Sequence, residues 1–333
     1  MLEGLLKAGF IITGTWPMRT ELSNRPIASG RNALASSIVL VCRPRPVDAP
    51  RTTRAAFLAA LRRELPDALK KLQQGNIAPV DLAQATIGPG MAVFSRYAAV
   101  LESDGSPMRV RTALQLINKA LDDVLSQQEG DFDAATRWAV AWFEQFGVNE
   151  GLYGDAETLS KAKNTSVAGM QEAGIVAASG GKVRLRRREE MAGTGDVSAA
   201  SAVGAGGMAG SAAAGGRGGQ ATAGGRRGRA LHEGGVVYQG DGVSVWAVTQ
   251  RLIYGLESAG EDGAAAVLNQ VGEAGEVARE LAYRLYLVCE RKGWASEALS
   301  YNGLVIAWPA ITQRAAYLAT AVQEPTQLGF GEA

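Results

Sequence analysis

The stretch GDAETLSKAKNTSVAGMQEAGIVAASGGKVRLRRR, residues 154–188, determines how the middle of the chain folds. Its first part predicts two short helices with a break near Lys163 and Asn164. After Gly174, two extended segments flank the pair Gly180–Gly181, which is typical of a β-hairpin with a two-residue turn. Immediately upstream, DFDAATRWAVAWFEQFG (131–147) predicts a helix capped by Asp133. Helix, turn, helix and hairpin in this order outline a winged helix.

This segment carries the residues that we expect to bind DNA. The hairpin arm is basic, and the polar residues at the start of its second short helix occupy the position at which a recognition helix meets base edges. A charged edge strand that guards against aggregation would have the same pattern. The candidate DNA-binding residues are Lys161, Lys163, Asn164, Thr165, Ser166, Lys182, Arg184 and Arg186.

The first fifty residues contain two apolar strands and little that would cover them. FIITGTW (10–16) and ASSIVLVC (35–42) are the strands, and the second has the composition of a strand buried on both faces. Two strands and a short helix cannot cover such a strand. Trp16 ends the first strand, and Arg19 and Glu21 lie in the connection after it. Ligands bind at such strand ends in open α/β sheets, so these three residues are candidates for a substrate pocket. Alternatively, Trp16 closes the sheet edge while Arg19 and Glu21 pair with each other.

Elsewhere the sequence predicts helices. After Thr52 the apolar residues recur at helical spacing and predict an amphipathic helix, which Pro66 is expected to kink or split. A helix is expected over GPGMAVFSRYAAVL (88–101), and another with Ser106 as its cap and Pro107 at its first position. The predicted fold class is mainly α with a small β part. The predicted divisions are an incomplete β part at 1–50, a helical region at 51–130, a winged-helix-like unit at 131–190, a flexible Gly/Ala-rich linker at 191–240 and a C-terminal helical region at 241–325.

Composition excludes several classes of protein. The formal net charge is +1, so only local clusters of charge favour nucleic acid. The two cysteines, Cys42 and Cys289, are too few for a zinc site and lie in apolar runs, which fits free thiols and a cytoplasmic protein. His232 is the only histidine, so a His-based catalytic triad is not expected. No apolar run is long enough to cross a bilayer, so no membrane partner is expected.

The stretch LLKAGFIITGTWPMRTE together with the second strand resembles the end of the catalytic domain of large adenine-specific DNA methylases, a zinc-ribbon-containing group found in some anti-phage systems. The similarity continues through NIAPVDLAQATIGPGMAVFSRYA, EGDFDAATRWAVAWFEQFG, AKNTSVAGM and ELAYRLYLVCERKGWASEALSYN. It implies that residues 1–50 are the terminal strands of a Rossmann-like methyltransferase sheet. It also implies S-adenosylmethionine as cofactor of the complete enzyme, DNA as partner, and a missing N-terminal half or other defence-system proteins as further partners.

The chain departs from such methylases in the motifs that perform catalysis. Neither their cofactor loop nor a Pro-Pro-aromatic target motif occurs, and no zinc ribbon is encoded. The resemblance therefore implies a C-terminal part that engages DNA, with no cofactor of its own, no catalytic residues and no activity alone. The alternative is a non-catalytic winged-helix DNA-binding or regulatory subunit.

Overall fold

Helices dominate the chain, and the strands of its described part form four small sheets. The structure is a computed structural model that describes residues 1–19, 36–127, 132–192, 231–232, 235–236 and 244–321. It divides into two units, which we call unit 1 (Met1–Gln128 and Arg251–Ala333) and unit 2 (Glu129–Gln250). The prediction of a mainly α fold with a small β part is confirmed at this level.

Unit 1 consists of helices and two two-stranded sheets. Its elements are α1 (Leu2–Lys7), β1 (Phe10–Arg19), β2 (Ser36–Pro44), β3 (Arg51–Thr53), α2 (Arg54–Gln74), α3 (Pro79–Ser95), β4 (Ala99–Leu101), α4 (Val110–Gln127), the part of α9 (Val245–Val271) from residue 251 onward, α10 (Ala274–Lys292) and α11 (Ala295–Ala321). β3 and β4 pair in parallel. The predicted helix over 88–101 is therefore wrong at both ends, because α3 begins earlier and residues 99–101 form a strand.

Two further details of the helices bear on the predictions. Pro66 does not split α2, which continues through it, because Leu65 and Leu69 on either side are fully buried and hold the helix in place. The predicted start of α4 is also wrong. The Asp104 carboxylate accepts hydrogen bonds from the backbone N–H and hydroxyl of Ser106 at 2.9 and 2.6 Å, which holds this segment in a turn before the helix begins at Val110.

The helices near the C-terminus are bonded to those near the N-terminus over long sequence separations. The Tyr283 hydroxyl donates to the carbonyl of Ile77 at 2.6 Å. The Asn302 side-chain oxygen accepts from the N–H of Val80 at 3.2 Å. The partners in these bonds are 206 and 222 residues apart, so the α3 end of unit 1 is completed by α10 and α11.

β1 and β2 form an antiparallel ribbon that is covered on one face. Ile12 lies on the covered face, and its N–H donates to the Ser95 hydroxyl of α3 at 2.9 Å. On the outer face Trp16, Met18 and Val39 are 62, 52 and 45% exposed. The ribbon is therefore covered by α3 on one face only, and its outer face, although apolar, is exposed.

Unit 2 contains five helical elements, counting the start of α9, and two small sheets in its described part. They are α5 (Ala134–Phe146), β5 (Gly151–Leu152), α6 (Tyr153–Ala162), α7 (Val167–Glu172), β6 (Val176–Ser179), β7 (Lys182–Leu185), α8 (Arg188–Ala192), β8 (Leu231–His232), β9 (Gly235–Val236) and residues 245–250 of α9. The larger sheet is antiparallel in the order β5-β7-β6. Gly180 and Gly181 have φ of 58° and 76°, values that glycine adopts without strain, and the predicted hairpin is confirmed.

The core of unit 2 is built on α5. Trp138 and Trp142 are fully buried and stacked, with ring centroids 5.1 Å apart. The Trp138 indole N–H donates to the Ser160 hydroxyl at 2.9 Å, which ties α6 to α5. Asp133 caps α5 as predicted, accepting from the N–H of Thr136 at 2.8 Å. These local bonds hold α5 and α6 together, and the elements that follow pack on these two helices.

The start of α9 is bonded to the same end of α5. Asp133 also accepts from the N–H of Val245, at 3.0 Å, and the Thr136 hydroxyl accepts from the N–H of Trp246 at 2.9 Å. Most of the predicted linker at 191–240 lies outside the described residues. Its first two residues belong to α8, and α9 begins at Val245, after its predicted end.

Candidate nucleic-acid interface

The turn between α6 and α7 contains five of the predicted DNA-binding residues. Lys161 is exposed in the last turn of α6, and Lys163, half-buried, follows that helix. Asn164 is exposed with φ of 55°, a left-handed conformation that asparagine tolerates better than most residues. Thr165 is half-buried, and Ser166 caps α7 by accepting from the N–H of Gly169 at 3.0 Å. The structure therefore brings these five residues together at the start of α7.

α7 buries one side against unit 2 and exposes the other. Val167 and Met170 are buried, while Ala168 and Glu172 are exposed and Gln171 is half-buried. These three solvent-facing positions were missed by the sequence prediction. The signal was present, since residues 168, 171 and 172 lie on the helix side opposite a buried 167/170 pair.

The basic hairpin arm is confirmed as a strand with apolar residues inward and cations outward. Val183 and Leu185 are buried. Each of the three predicted cations has a protein partner. The Lys182 ammonium lies 3.2 Å from the Glu150 carboxylate. The Arg186 Nε donates a long hydrogen bond of 3.4 Å to the carbonyl of Val176.

Arg184 has the strongest of these partners. Its two terminal nitrogens donate to the two carboxylate oxygens of Glu190 at 2.8 and 2.7 Å, a bidentate pair. Glu190 also accepts from the backbone N–H of Arg187 at 2.8 Å. The Arg184 guanidinium, followed by the Arg187 N–H, lowers the pKa of Glu190 to about 2, and Glu190 in turn raises the pKa of Arg184. Both groups are therefore charged at neutral pH, and the positive charge of Arg184 is locally compensated.

The described residues include only part of the predicted substrate pocket. Trp16 lies on the exposed outer face of the ribbon. Arg19 is the last residue of β1, and Glu21 lies outside the described residues. Two clefts of unit 1 have no glycine in their linings, so neither contains a Gly-rich loop of the kind that binds S-adenosylmethionine.

The remaining chemistry of the described residues is limited. Cys42 is half-buried, Cys289 is buried, and both are free thiols. Within the described ranges, no group of three or more His, Cys, Asp or Glu side chains is arranged to hold a metal ion. None of the helices in those ranges has the length and apolar character needed to span a membrane.

One protein family matches this region. The family described as Domain of unknown function (DUF8807) matches residues 133–205 and 229–330, more than half of the chain. The chain belongs to the DUF8807 family. Its DUF8807 match begins at the Asp133 cap of α5 and includes every candidate DNA-binding residue, whereas the β1–β2 ribbon and α2–α4 lie outside it. No curated protein and no solved structure matches the chain.

Proposed function

We propose that unit 2 is a winged-helix module that binds duplex DNA, with the start of α7 directed at a groove and the β6–β7 hairpin beside the phosphate backbone. The observation that carries this proposal is the element order α5-β5-α6-α7-β6-β7 together with the strand order β5-β7-β6. In this arrangement α7 follows a tight turn after α6, as a recognition helix does. The hairpin then serves as the wing.

Charge supports the α7 end of the module more than its wing. Residues 133–192 contain as many acidic as basic side chains, so attraction to phosphate has to come from local groups. Lys161 and Lys163 have no ion-pair partner among the described residues, and the Asn164 amide has no hydrogen-bond partner among them. Lys182 and Arg184 are already paired with carboxylates. We therefore assign the main contacts to the α6–α7 turn.

The experiment measures binding of the full chain to a fluorescent DNA duplex by anisotropy across a range of salt concentrations. Lys161→Ala and Lys163→Ala are each expected to weaken binding by up to about fivefold and to reduce the salt slope by about 0.9 if one phosphate contact is lost. Lys70→Ala, which removes one exposed lysine from α2, is the matched control and should leave binding unchanged. Equal losses in all three variants would contradict the proposal.

Asn164 allows a separate test of base recognition. Asn164→Gly keeps a residue that adopts positive φ readily and removes only the side-chain amide. If this amide reads a base edge, the variant loses preference among DNA sequences without a change in the salt slope. An unchanged preference would remove Asn164 from the recognition surface.

The wing can be tested by releasing Arg184 from its partner. Glu190→Gln removes the carboxylate charge that compensates Arg184 and is expected to strengthen DNA binding by up to about fivefold. Glu189→Gln removes the same charge from the neighbouring exposed residue without releasing Arg184. Affinity that rises equally in both variants would show a general charge effect, and Arg184 would then have a structural role only.

We further propose that this DNA-binding module serves adenine-specific DNA methylation, with the cofactor loop and target motif supplied by other polypeptide sequence. The sequence resemblance supports this, as does the β1–β2 ribbon, whose outer face is apolar and exposed at Trp16, Met18 and Val39. Such a face suits contact with further layers of a methyltransferase domain.

The methylation proposal is tested by combining the chain with a polypeptide that carries those two motifs and measuring N6-methyladenine in DNA with S-adenosylmethionine present. Methylation by the pair, and none by this chain alone, is expected. If a soluble and folded pair binds DNA without methylating it, the methylation proposal fails. The chain is then a non-catalytic DNA-binding or regulatory subunit.

A further inference from the structure

Unit 1 contains an open cleft that none of the functions above uses. It lies between α1, the end of α3, β4 and the start of α4, and its volume is about 660 Å³. This volume lies in the range of about 300–1,000 Å³ that is usual for small-molecule sites. The cleft is therefore large enough for a ligand of nucleotide size.

The floor of the cleft is apolar. Phe94, Val100 and Met108 line it and are 8, 1 and 6% exposed. Tyr97 also lines it and is half-buried, and the guanidinium of Arg96 lies 5.5 Å from the centre of the Tyr97 ring. An aromatic side chain in the same lining as buried apolar residues favours a ligand with a flat, apolar body.

The edge of the cleft is positively charged. Lys7 and Arg109 line it, are exposed, and have no ion-pair partner within the described residues. Arg45 lines it as well, and its side chain is held by the carbonyls of Ser95 at 3.1 Å and Leu6 at 3.3 Å.

One acidic residue, Glu3, opposes these cations. It stands four residues before Lys7 in α1, and the two side chains are not within ion-pair distance. Three cations and one carboxylate give the lining a net charge of +2. A phosphate monoester carries a charge of about −1.5 to −2 at neutral pH, so its charge balances that of the lining.

The first turn of α4 also favours an anion in the cleft. Val110 begins that helix and lines the cleft, and helix N-termini favour anions.

We propose that this cleft binds a small organic anion with a phosphate head and a planar ring, a nucleoside 5′-monophosphate being the representative. The phosphate lies at the edge formed by Lys7 and Arg109, and the ring lies on the apolar floor beside Tyr97. The proposal is independent of DNA binding, because the cleft belongs entirely to unit 1 and the DNA-binding residues belong to unit 2.

The test is isothermal titration calorimetry of the full chain with AMP, adenosine and inorganic phosphate. AMP should bind saturably at one site, at least tenfold more tightly than either adenosine or phosphate alone, because only AMP uses both the floor and the cations. Absence of saturable AMP binding up to millimolar concentration would overturn the proposal, as would equal affinity for AMP and adenosine.

Variants then locate the site. Arg109→Ala and Lys7→Ala should each weaken AMP binding by about tenfold. Arg111→Ala is the matched control, because Arg111 is exposed in the first turn of α4, two residues after Arg109, but does not line the cleft. Ala98→Trp, at an exposed position of the lining, should block the cleft and abolish binding.

AMP binding that survives both Arg109→Ala and Ala98→Trp, or that falls equally in Arg111→Ala, would place the ligand elsewhere and overturn the assignment. Lys161→Ala should leave AMP affinity unchanged. A failure of the cleft proposal is thus distinguishable from a failure of DNA binding.

Discussion

Replacing Gly88 by alanine should separate α3 from the β1–β2 ribbon. A Cβ at Gly88 would lie 2.0 Å from the Thr15 Oγ1, 2.1 Å from its Cγ2 and 2.5 Å from its Cβ. Carbon atoms in contact normally lie about 3.5–4.0 Å apart. Rotation of the Thr15 side chain cannot relieve the contact with its Cβ, so the backbone of β1 or α3 has to move.

Two opposing effects set the magnitude for Gly88→Ala. Alanine in a helix interior is favoured over glycine by about 1 kcal/mol. Overpacking that shifts backbone costs typically about 1–3 kcal/mol, and the short distances place this site at the upper end. The expected net loss is therefore about 2 kcal/mol of local stability. Gly303→Ala in α11 is the control, since no atom lies within 4 Å of its added Cβ, and it should gain about 0.5–1 kcal/mol.

Native-state hydrogen exchange, read by mass spectrometry on peptides that cover β1 and β2, measures this loss locally. Faster exchange of these peptides, with unchanged exchange of the hairpin in unit 2, is expected. In a Thr15→Gly background all three contacted atoms are absent, so Gly88→Ala should cost at least 1 kcal/mol less. If Gly88→Ala protects the ribbon as well as wild type does, or costs the same in both backgrounds, the packing described for α3 and β1 is incorrect.

Three further changes test other parts of the fold. The carboxylate of Glu190 should titrate by NMR near pH 2, and in Arg184→Ala its midpoint should rise toward 4.5. The contribution of this pair to stability is therefore present above pH 4.5 and is lost as the pH falls from 4.5 toward 2. Ser166→Ala removes the cap of α7 and should lower the stability of unit 2 by about 1 kcal/mol in urea denaturation, whereas Ser179→Ala at the exposed end of the hairpin should not. Pro66→Ala should raise the urea midpoint of unit 1 by an amount equivalent to about 1–3 kcal/mol, since it restores a helix hydrogen bond; a lower midpoint would mean that α2 depends on the proline.

Features with a local cause were predictable from the sequence. The β6–β7 hairpin follows from the Gly180–Gly181 turn and the alternation of Val183 and Leu185, and the start of α5 follows from Asp133. The position of the α6–α7 turn was predictable for the same reason, because its polar residues interrupt a helical pattern. Each of these depends on contacts within a few residues of the chain.

Features that depend on distant or competing partners were not predictable. The start of α4 is displaced by the Asp104 side chain, which no periodicity reveals. The compensation of Arg184 by Glu190 requires α8 to place that carboxylate opposite the hairpin. The cleft combines side chains from residues 3 to 110, and Lys7 and Arg109 both line it only because the fold of unit 1 places α1 beside the start of α4.

The long separations within unit 1 also bear on the order in which the chain folds during synthesis. α3 is completed by bonds from Tyr283 and Asn302, whereas the whole of unit 2 lies between these two parts of unit 1 in the sequence. At about 5–20 residues per second, roughly ten to thirty seconds pass on the ribosome between emergence of α4 and emergence of α11. All residues of unit 2 have been synthesised before α11 emerges, so unit 2 can fold during that interval. The apolar surfaces of α2–α4 that α10 and α11 cover therefore stay exposed until these two helices have left the exit tunnel.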